Sequence, residues 1–175
     1  MRNLIIAIAL TLSFGCCFAQ SVNGKPAEPA IIGDVFLLDP SSQALSPLPS
    51  EQWQDVTIHK SAFSGGYTHS VQLSGDQSTF RIKADAKTEF VFKVGNPENV
   101  TLYPCVSKKH QRLANYAEDR LKANWTPDRK PIAGLPVEIT QFGESSFKMV
   151  PKSALAPGEY VISTGNKMFT FGVDK

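Results

Sequence analysis

The sequence has few cysteines, little net charge and few long hydrophobic runs. Its 175 residues include three cysteines, and its formal net charge is +2. So small a net charge gives no reason to expect binding to nucleic acid or to a strongly anionic surface. After Phe14, no apolar run approaches the roughly 20 residues of a membrane-spanning helix. With 42% hydrophobic residues, the chain is instead expected to fold into a globular domain.

Motifs of the common enzyme classes are missing as well. The chain has no Gly-x-Ser-x-Gly elbow and no phosphate-binding glycine loop followed by Lys-Ser or Lys-Thr. Its three histidines, His59, His69 and His110, lack the short spacings typical of metal ligands. The sequence therefore predicts a non-catalytic protein without a cofactor. The alternative is a small metal-dependent or hydrolytic enzyme, in which folding brings one of these histidines to a distant carboxylate.

Residues 1–19 have the pattern of a secretory signal peptide. Arg2 precedes an apolar run from Leu4 to Phe14, and Ala19 ends a small-x-small cleavage site. We therefore expect cleavage after Ala19 and export to the periplasm or beyond the cell. Lipidation at Cys16, which would anchor the protein to the envelope, is the alternative. It is disfavoured because no leucine stands three residues before this cysteine.

Cleavage after Ala19 would leave Cys105 as the single cysteine. A lone cysteine forms no internal disulfide, so the fold must be stable through its hydrophobic core. We expect Cys105 to be a small buried hydrophobic residue. A reactive thiol or an intermolecular disulfide is the alternative.

Short alternating segments separated by turns dominate the remainder of the chain. The clearest is 79–84, in which Phe80, Ile82 and Ala84 share one face. About ten such segments, without a βαβ rhythm, predict an all-β fold: an antiparallel immunoglobulin-like or Greek-key sandwich. Residues 20–33 are expected to be a flexible tether, and residues 34–175 a single domain. The prolines near residues 44–48 confine that segment to a sheet edge.

A turn near the C-terminus carries the most specific fold signal. Pro157 and Gly158 favour a tight turn, and Tyr160 follows at the start of a strand. This arrangement is typical of a tyrosine corner, in which the hydroxyl bonds to nearby backbone. The run 137–174, with Pro-Gly-Glu-Tyr at 157–160 and Phe-Thr-Phe-Gly-Val-Asp at 169–174, resembles the C-terminal half of small secreted bacterial β-sandwich proteins of uncharacterised function. The resemblance implies a fold and no activity.

Residues 107–131 are the most basic part of the chain, with seven Lys or Arg residues against three Asp or Glu. Leu113, Ala117 and Leu121 recur at helical spacing, and 107–125 lacks glycine, proline and β-branched residues, so a short helix around 108–124 is one interpretation. Because the surrounding pattern is all-β, we favour a strand and a long connection.

This basic stretch supplies the candidate binding residues. Lys108, Lys109 and Arg112 would meet phosphates or sugar acids, while Tyr116 and Trp125 would stack on the ligand. The alternative is a hydrated surface, with Trp125 packed as a lid on the sandwich. The sequence thus predicts a non-catalytic envelope module that binds or supports an envelope protein or polysaccharide. It would bind no nucleic acid, and would contact a membrane only through a lipid anchor.

Overall fold

The structure, a computed structural model, describes residues 27–60, 66–84, 87–121 and 127–175, with Leu121 described by its backbone alone. Within these ranges the chain is all-β and its sheets are antiparallel except for one short parallel pair, which confirms the predicted fold class. No helix in the described ranges is long and apolar enough to cross a membrane. The signal peptide, Cys16 and Trp125 lie outside the described residues.

The smaller sheet contains five strands within the described ranges. Their spatial order is β11 (Val137–Phe142), β12 (Ser146–Pro151), β7 (Glu89–Phe92), β1 (Val35–Leu38) and β2 (Leu45–Pro47). Strand β2 is the edge strand expected at 44–48, since β1 is its partner among the described strands. Pro47 is tolerated there because an edge strand needs hydrogen bonds on one side only.

The larger sheet contains nine strands within the described ranges. The main order is β3 (Ser50–Glu51), β14 (Met168–Asp174), β13 (Gly158–Ser163), β8 (Thr101–Lys108), β9 (Gln111–Leu121), β5 (Tyr67–Ser74) and β4 (Trp53–His59). Two short strands lie beside this path: β10 (Pro127–Pro131) pairs with β9, and β6 (Arg81–Lys83) pairs in parallel with β14.

The main hydrophobic core lies between the two sheets. Phe90 and Phe92 of the smaller sheet share one buried cluster with Ile162, Phe169 and Phe171 of the larger sheet. The ring centroids of Phe90 and Phe171 are 4.9 Å apart. Because side chains alternate between the two faces of a strand, these residues lie on the faces where the two sheets meet. The residues between them point to the opposite face of the larger sheet.

Strand β9 occupies most of the described part of the basic stretch, so the helix around 108–124 is wrong for the residues that the structure describes there. Strand β9 pairs with β5 on one side and with β8 and then β10 on the other. Opposite β5, Ser70 pairs with Asn115 and His69 with Ala117, which leaves Tyr116 as the extra residue of a β-bulge. The bulge shifts the buried positions from even to odd numbers, which removes the constant period of two that would have indicated a strand.

The tyrosine corner is present as expected. The Tyr160 hydroxyl donates a hydrogen bond to the Ala156 carbonyl at 2.7 Å, across the turn made by Pro157 and Gly158. Its ring stacks on Phe171, with centroids 5.3 Å apart. Burial raises the pKa of the hydroxyl.

Tyr160→Phe is expected to lower the free energy of unfolding by about 1–2 kcal/mol, because the part-buried hydrogen bond from the Tyr160 hydroxyl to the Ala156 carbonyl is lost. Urea denaturation followed by circular dichroism measures the loss. Tyr67→Phe is the control: Tyr67 is exposed, so the change should stay within about 0.5 kcal/mol. Equal stability of the Tyr160→Phe variant and the wild type would show that the corner bond contributes nothing.

Part of the predicted tether contacts the smaller sheet. The Glu28 carboxylate accepts hydrogen bonds from the backbone N–H of Glu144 and from the Ser145 and Ser146 hydroxyls, the last two at 2.8 Å. The Glu144 N–H is the largest influence and the Ser146 hydroxyl the next, and together these bonds lower the pKa of Glu28 from 4.5 to about 2.

This contact is expected to depend on pH. The carboxylate form is the bound form, so the contact is intact above pH 4.5 and is lost as the pH falls towards 2. The amide resonances of Glu144 and Ser145 should therefore shift in NMR spectra over that range. In the Glu28→Gln variant, the same resonances should show no such transition. A transition centred at 4.5 in the wild type would contradict the bound geometry.

Candidate functional site

The larger sheet curls until its two ends come together at Gln52, between β3 and β4. Strand β3 pairs with β14 at one end of the sheet, and β4 pairs with β5 at the other, yet only Gln52 separates β3 from β4 in the chain. One residue spans about 3.8 Å between consecutive Cα atoms, so the two ends must be adjacent. The sheet is therefore a half-barrel, and the face turned away from the main core is concave.

A groove of about 280 Å³ lies in this concave face. Its volume is near the lower end of the range for small-ligand sites. Side chains from six strands form its nonpolar walls: Trp53, Val71, Tyr103, Tyr116, Val161 and Met168. Asp55 and Ser163 add polar groups, and Asp55 is exposed at the rim. The groove combines aromatic rings, aliphatic surface and one carboxylate, which suits a ligand with an apolar body and a cationic or hydroxyl group.

Tyr116 lines this groove on the same face of β9 as Ala114, which stands two residues before it. The Tyr116 hydroxyl donates a hydrogen bond to Asp55 at 3.1 Å, which joins β9 to β4 across the concave face. Burial raises the pKa of Tyr116, and the bond to Asp55 adds to the rise. The bulge at Tyr116 shifts the buried positions that follow it to Ala117 and Asp119. Tyr116 is one of the predicted binding residues.

Arg112 is not on the surface, which corrects the expectation that it contacts a ligand beside Lys108 and Lys109. Its side chain is 1% exposed, and its Nη2 donates to the Glu51 carboxylate at 2.5 Å and to the Ser74 carbonyl at 2.7 Å. Glu51 in turn accepts a hydrogen bond from the Thr170 hydroxyl. The guanidinium thus ties β9 to β3 at the end of the groove where the half-barrel is closed.

Lys108 and Lys109 lie at the tip of the hairpin that joins β8 to β9. Both are exposed, and Lys109 and His110 form its two-residue turn with positive φ angles of 51° and 62°. From the start of β9 at Gln111 to Tyr116, the strand covers roughly 16 Å. The structure therefore separates these lysines from Tyr116 rather than uniting them in one site. The position of Trp125 relative to either lies outside the described residues.

His69 belongs to a polar cluster beyond Tyr116 on the concave face. Its Nε2 lies 2.8 Å from the Asp119 carboxylate, and its Nδ1 lies 3.2 Å from the Thr57 hydroxyl. Arg129 also bonds to Asp119, at 3.0 Å. Arg129 first and His69 second lower the pKa of Asp119. Arg129 Nη2 also lies 3.0 Å from the same His69 Nε2. In the tautomer in which Nε2 donates to Asp119, residues Thr57, His69 and Asp119 form a hydroxyl–imidazole–carboxylate series.

The other two histidines lie elsewhere. His59 packs edge-on against Tyr67, with centroids 4.9 Å apart, and His110 bonds to Asp76 at 2.8 Å beside the hairpin tip. In the described part of the chain, no group of three or more His, Cys, Asp or Glu side chains is placed to hold a metal ion.

Cys105 lies on the concave face. There it packs, together with Trp53 and Tyr103, against a second cluster of buried hydrophobic residues. Burial raises the pKa of its thiol to about 12. Thiolates, not thiols, react with alkylating reagents. The environment is that of an inert thiol.

Alkylation of Cys105 by iodoacetamide at pH 8 should therefore be on the order of a hundredfold slower in the folded protein than in urea. Mass spectrometry of timed samples measures both rates. Ligand binding should be unchanged in the Cys105→Ser variant. Equal rates in the folded and unfolded protein would identify a reactive thiol instead.

Comparison with known proteins gave no match: no protein-family model, no curated protein and no solved structure is similar to the chain. Its function is therefore inferred from its own geometry.

Most of the groove residues had no signal in the sequence. Trp53, Tyr103 and Met168 lie far apart in the chain, and each is an ordinary member of a strand. Asp55 alternates with Trp53 and Thr57 on one face of β4, but a polar residue in such a position normally indicates a hydrated face. Tyr116 was identified, although for stacking beside the basic stretch rather than for this groove.

Proposed function

We propose that the chain is an exported, non-catalytic β-sandwich module that binds a partner in the bacterial cell envelope through the groove. Residues 1–19 act as its export signal. The observation that carries the proposal is the groove itself: Trp53, Tyr103 and Tyr116 border a cavity that reaches solvent beside the exposed Asp55. Partly exposed aromatic side chains gathered around a concave site are typical of binding surfaces.

The surrounding charges support binding rather than chemistry. Glu51 and Asp119 each bond to an arginine, so their carboxylates are engaged in holding strands together. Asp55 keeps an exposed carboxylate whose hydrogen bond comes from a neutral hydroxyl. An exposed carboxylate beside aromatic rings can accept further hydrogen bonds from a ligand or attract a cation.

A capture experiment tests the proposal. The full chain, expressed with its leader and then immobilised, is incubated with solubilised host envelope. Bound protein and polysaccharide are then identified separately. We expect capture by the wild type and its loss in both Trp53→Ala and Asp55→Lys variants.

Two controls make the result specific. The Glu138→Lys variant changes an exposed acidic residue on β11, an edge strand of the other sheet, and should retain capture. Neutralising Lys108 and Lys109 tests the hairpin tip instead. Capture that survives both groove variants but is lost with the lysines would move the site to the hairpin. Melting curves of every variant separate lost binding from lost folding.

The series formed by Thr57, His69 and Asp119 favours a second candidate, a small hydrolase. In it, the Thr57 hydroxyl would attack an ester carbonyl while His69 accepts the hydroxyl proton, and the ester C–O bond would break as His69 returns that proton to the departing alcohol. Water, deprotonated by His69, would then hydrolyse the acyl–Thr57 ester and release the acid. Hydrolysis of p-nitrophenyl acetate is the test. Activity should be lost in Thr57→Val and His69→Gln variants and kept in His59→Gln. Equal rates in all four proteins would exclude this series as a catalytic site.

A further inference from the structure

The outer edge of β4 is free of neighbours in the described part of the chain. This strand pairs with β5 through all seven of its residues, Trp53 to His59, and with no other described strand. About half of its backbone N–H and C=O groups therefore point away from the sheet. Such an edge is a template for pairing with another extended chain.

The register of β14 explains why the edge is free. Met168, the first residue of β14, pairs with Glu51 of β3, so the hairpin of β13 and β14 turns back just where β4 begins. Strand β4 continues past the end of that hairpin. We call the resulting gap between β4 and the hairpin end the seam. Trp53 and Asp55 on one side and Ser163 and Met168 on the other line the groove at the seam.

We infer that the seam binds an extended polypeptide of a partner protein, which pairs with β4 and completes the wall of the half-barrel. This inference rests on the proposed function and names its ligand. Strand addition obtains affinity from main-chain hydrogen bonds and specificity from pockets that receive alternate side chains. The free edge of β4 supplies the first, and the groove supplies the second.

The charged residue of the groove indicates which side chains the bound peptide carries. Among the residues that the structure describes, Asp55 is the one carboxylate lining the groove, and its hydrogen-bonded partner is the neutral Tyr116 hydroxyl. A Lys or Arg beside it on the added strand would form a cross-strand charge pair. Side chains two residues apart share a face of a strand, so the neighbour beside Trp53 would be aliphatic. The bound segment therefore carries an aliphatic and a basic residue two positions apart.

A polysaccharide would use the site less completely. Its rings would stack on Trp53 or Tyr116, and its hydroxyls would bond to Asp55, but nothing in it would pair with the backbone of β4 in register. A peptide uses the rings, the carboxylate and the strand edge together. The edge is therefore the observation that favours a peptide over a glycan.

Panning of phage-displayed random octapeptides against the full chain tests this inference. The Asp55→Lys variant serves to remove background binders, and an enriched peptide is then synthesised. We expect enriched peptides to share the aliphatic and basic residues two positions apart. Affinity should fall about tenfold in Asp55→Lys and stay unchanged in Glu138→Lys. Fluorescence of a Trp125→Phe variant, in which Trp53 is the remaining tryptophan, reports occupancy of the groove.

Backbone methylation of the peptide distinguishes strand pairing from other docking. N-methylation at every second position should weaken binding about tenfold, because each methyl group removes a main-chain hydrogen bond. Methylation at the positions between should have little effect. Hydrogen exchange of the β4 amides should slow when the peptide is bound.

Four results would overturn the inference. Enriched peptides that tolerate methylation everywhere would bind through side chains alone. Failure to enrich any peptide, together with capture of envelope polysaccharide that Trp53→Ala abolishes, would refute strand addition and leave the proposed function standing. Failure of both assays would reject the groove as a site, and with it the proposed function. Slower exchange of the β4 amides at higher protein concentration without peptide would assign the edge to a second copy of the chain.

Discussion

Replacing Arg112 by alanine is expected to lower the free energy of unfolding by about 3–5 kcal/mol. The guanidinium is 1% exposed, and its removal leaves the partly buried Glu51 carboxylate without its cation. The carbonyls of Ser74 and Gly75 lose donors at 2.7 and 3.2 Å in the same step. An unpaired buried charge costs far more than the pair contributes, because desolvation is no longer offset by attraction.

Arg120 provides a matched control for this prediction. It lies on the same strand, bonds to Glu118 and is 68% exposed, so Arg120→Ala should cost less than about 1 kcal/mol. Chemical denaturation of both variants at pH 7 measures the difference. A double variant, Arg112→Met with Glu51→Gln, should lose less stability than Arg112→Met alone, because no unpaired charge remains. Equal losses in Arg112→Ala and Arg120→Ala would show that the buried pair is energetically neutral.

Replacing Phe171 by alanine is expected to cost a similar amount, about 3–5 kcal/mol, through a cavity between the sheets. Phe171 is fully buried, with the Phe90 ring centroid at 4.9 Å and the Tyr160 ring centroid at 5.3 Å. Phe90 belongs to the smaller sheet and Tyr160 to the larger one. The cavity therefore removes contacts that hold the two layers together.

Phe142 is the control for the cavity. It is half-buried at the end of the edge strand β11, so Phe142→Ala should cost well under half as much. Both variants should unfold in a single transition if residues 34–175 form one cooperative domain. Two separate transitions in the Phe171→Ala variant would show that the sheets unfold independently. A loss no larger than that of Phe142→Ala would contradict the packing.

Strand β9 illustrates why part of the fold escaped prediction. Its buried residues are Arg112 and Ala114 before the bulge, and Ala117 and Asp119 after it. A strand that inverts its faces at one residue has no constant period of two, and local propensity then favours a helix. The bulge depends on pairing with β5, which is distant in the sequence.

The hairpin between β8 and β9 was hidden for a related reason. Its two turn residues, Lys109 and His110, both have positive φ angles, a conformation that usually calls for Asn or Gly. Without those residues, the turn carries no sequence signal. Pairing of the two long strands must stabilise the conformation, since Lys and His resist it on their own.

The sequence by itself determined the all-β class, the tyrosine corner at Tyr160 and the edge position of 44–48. Each depends on neighbours a few residues apart, because alternation and turn chemistry are local properties of the chain. The tertiary structure decided the burial of Arg112, the groove itself and the place of Tyr116 within it. These require the larger sheet to curl until β3 and β4 close it, and curling is a property of many paired strands that no short segment encodes.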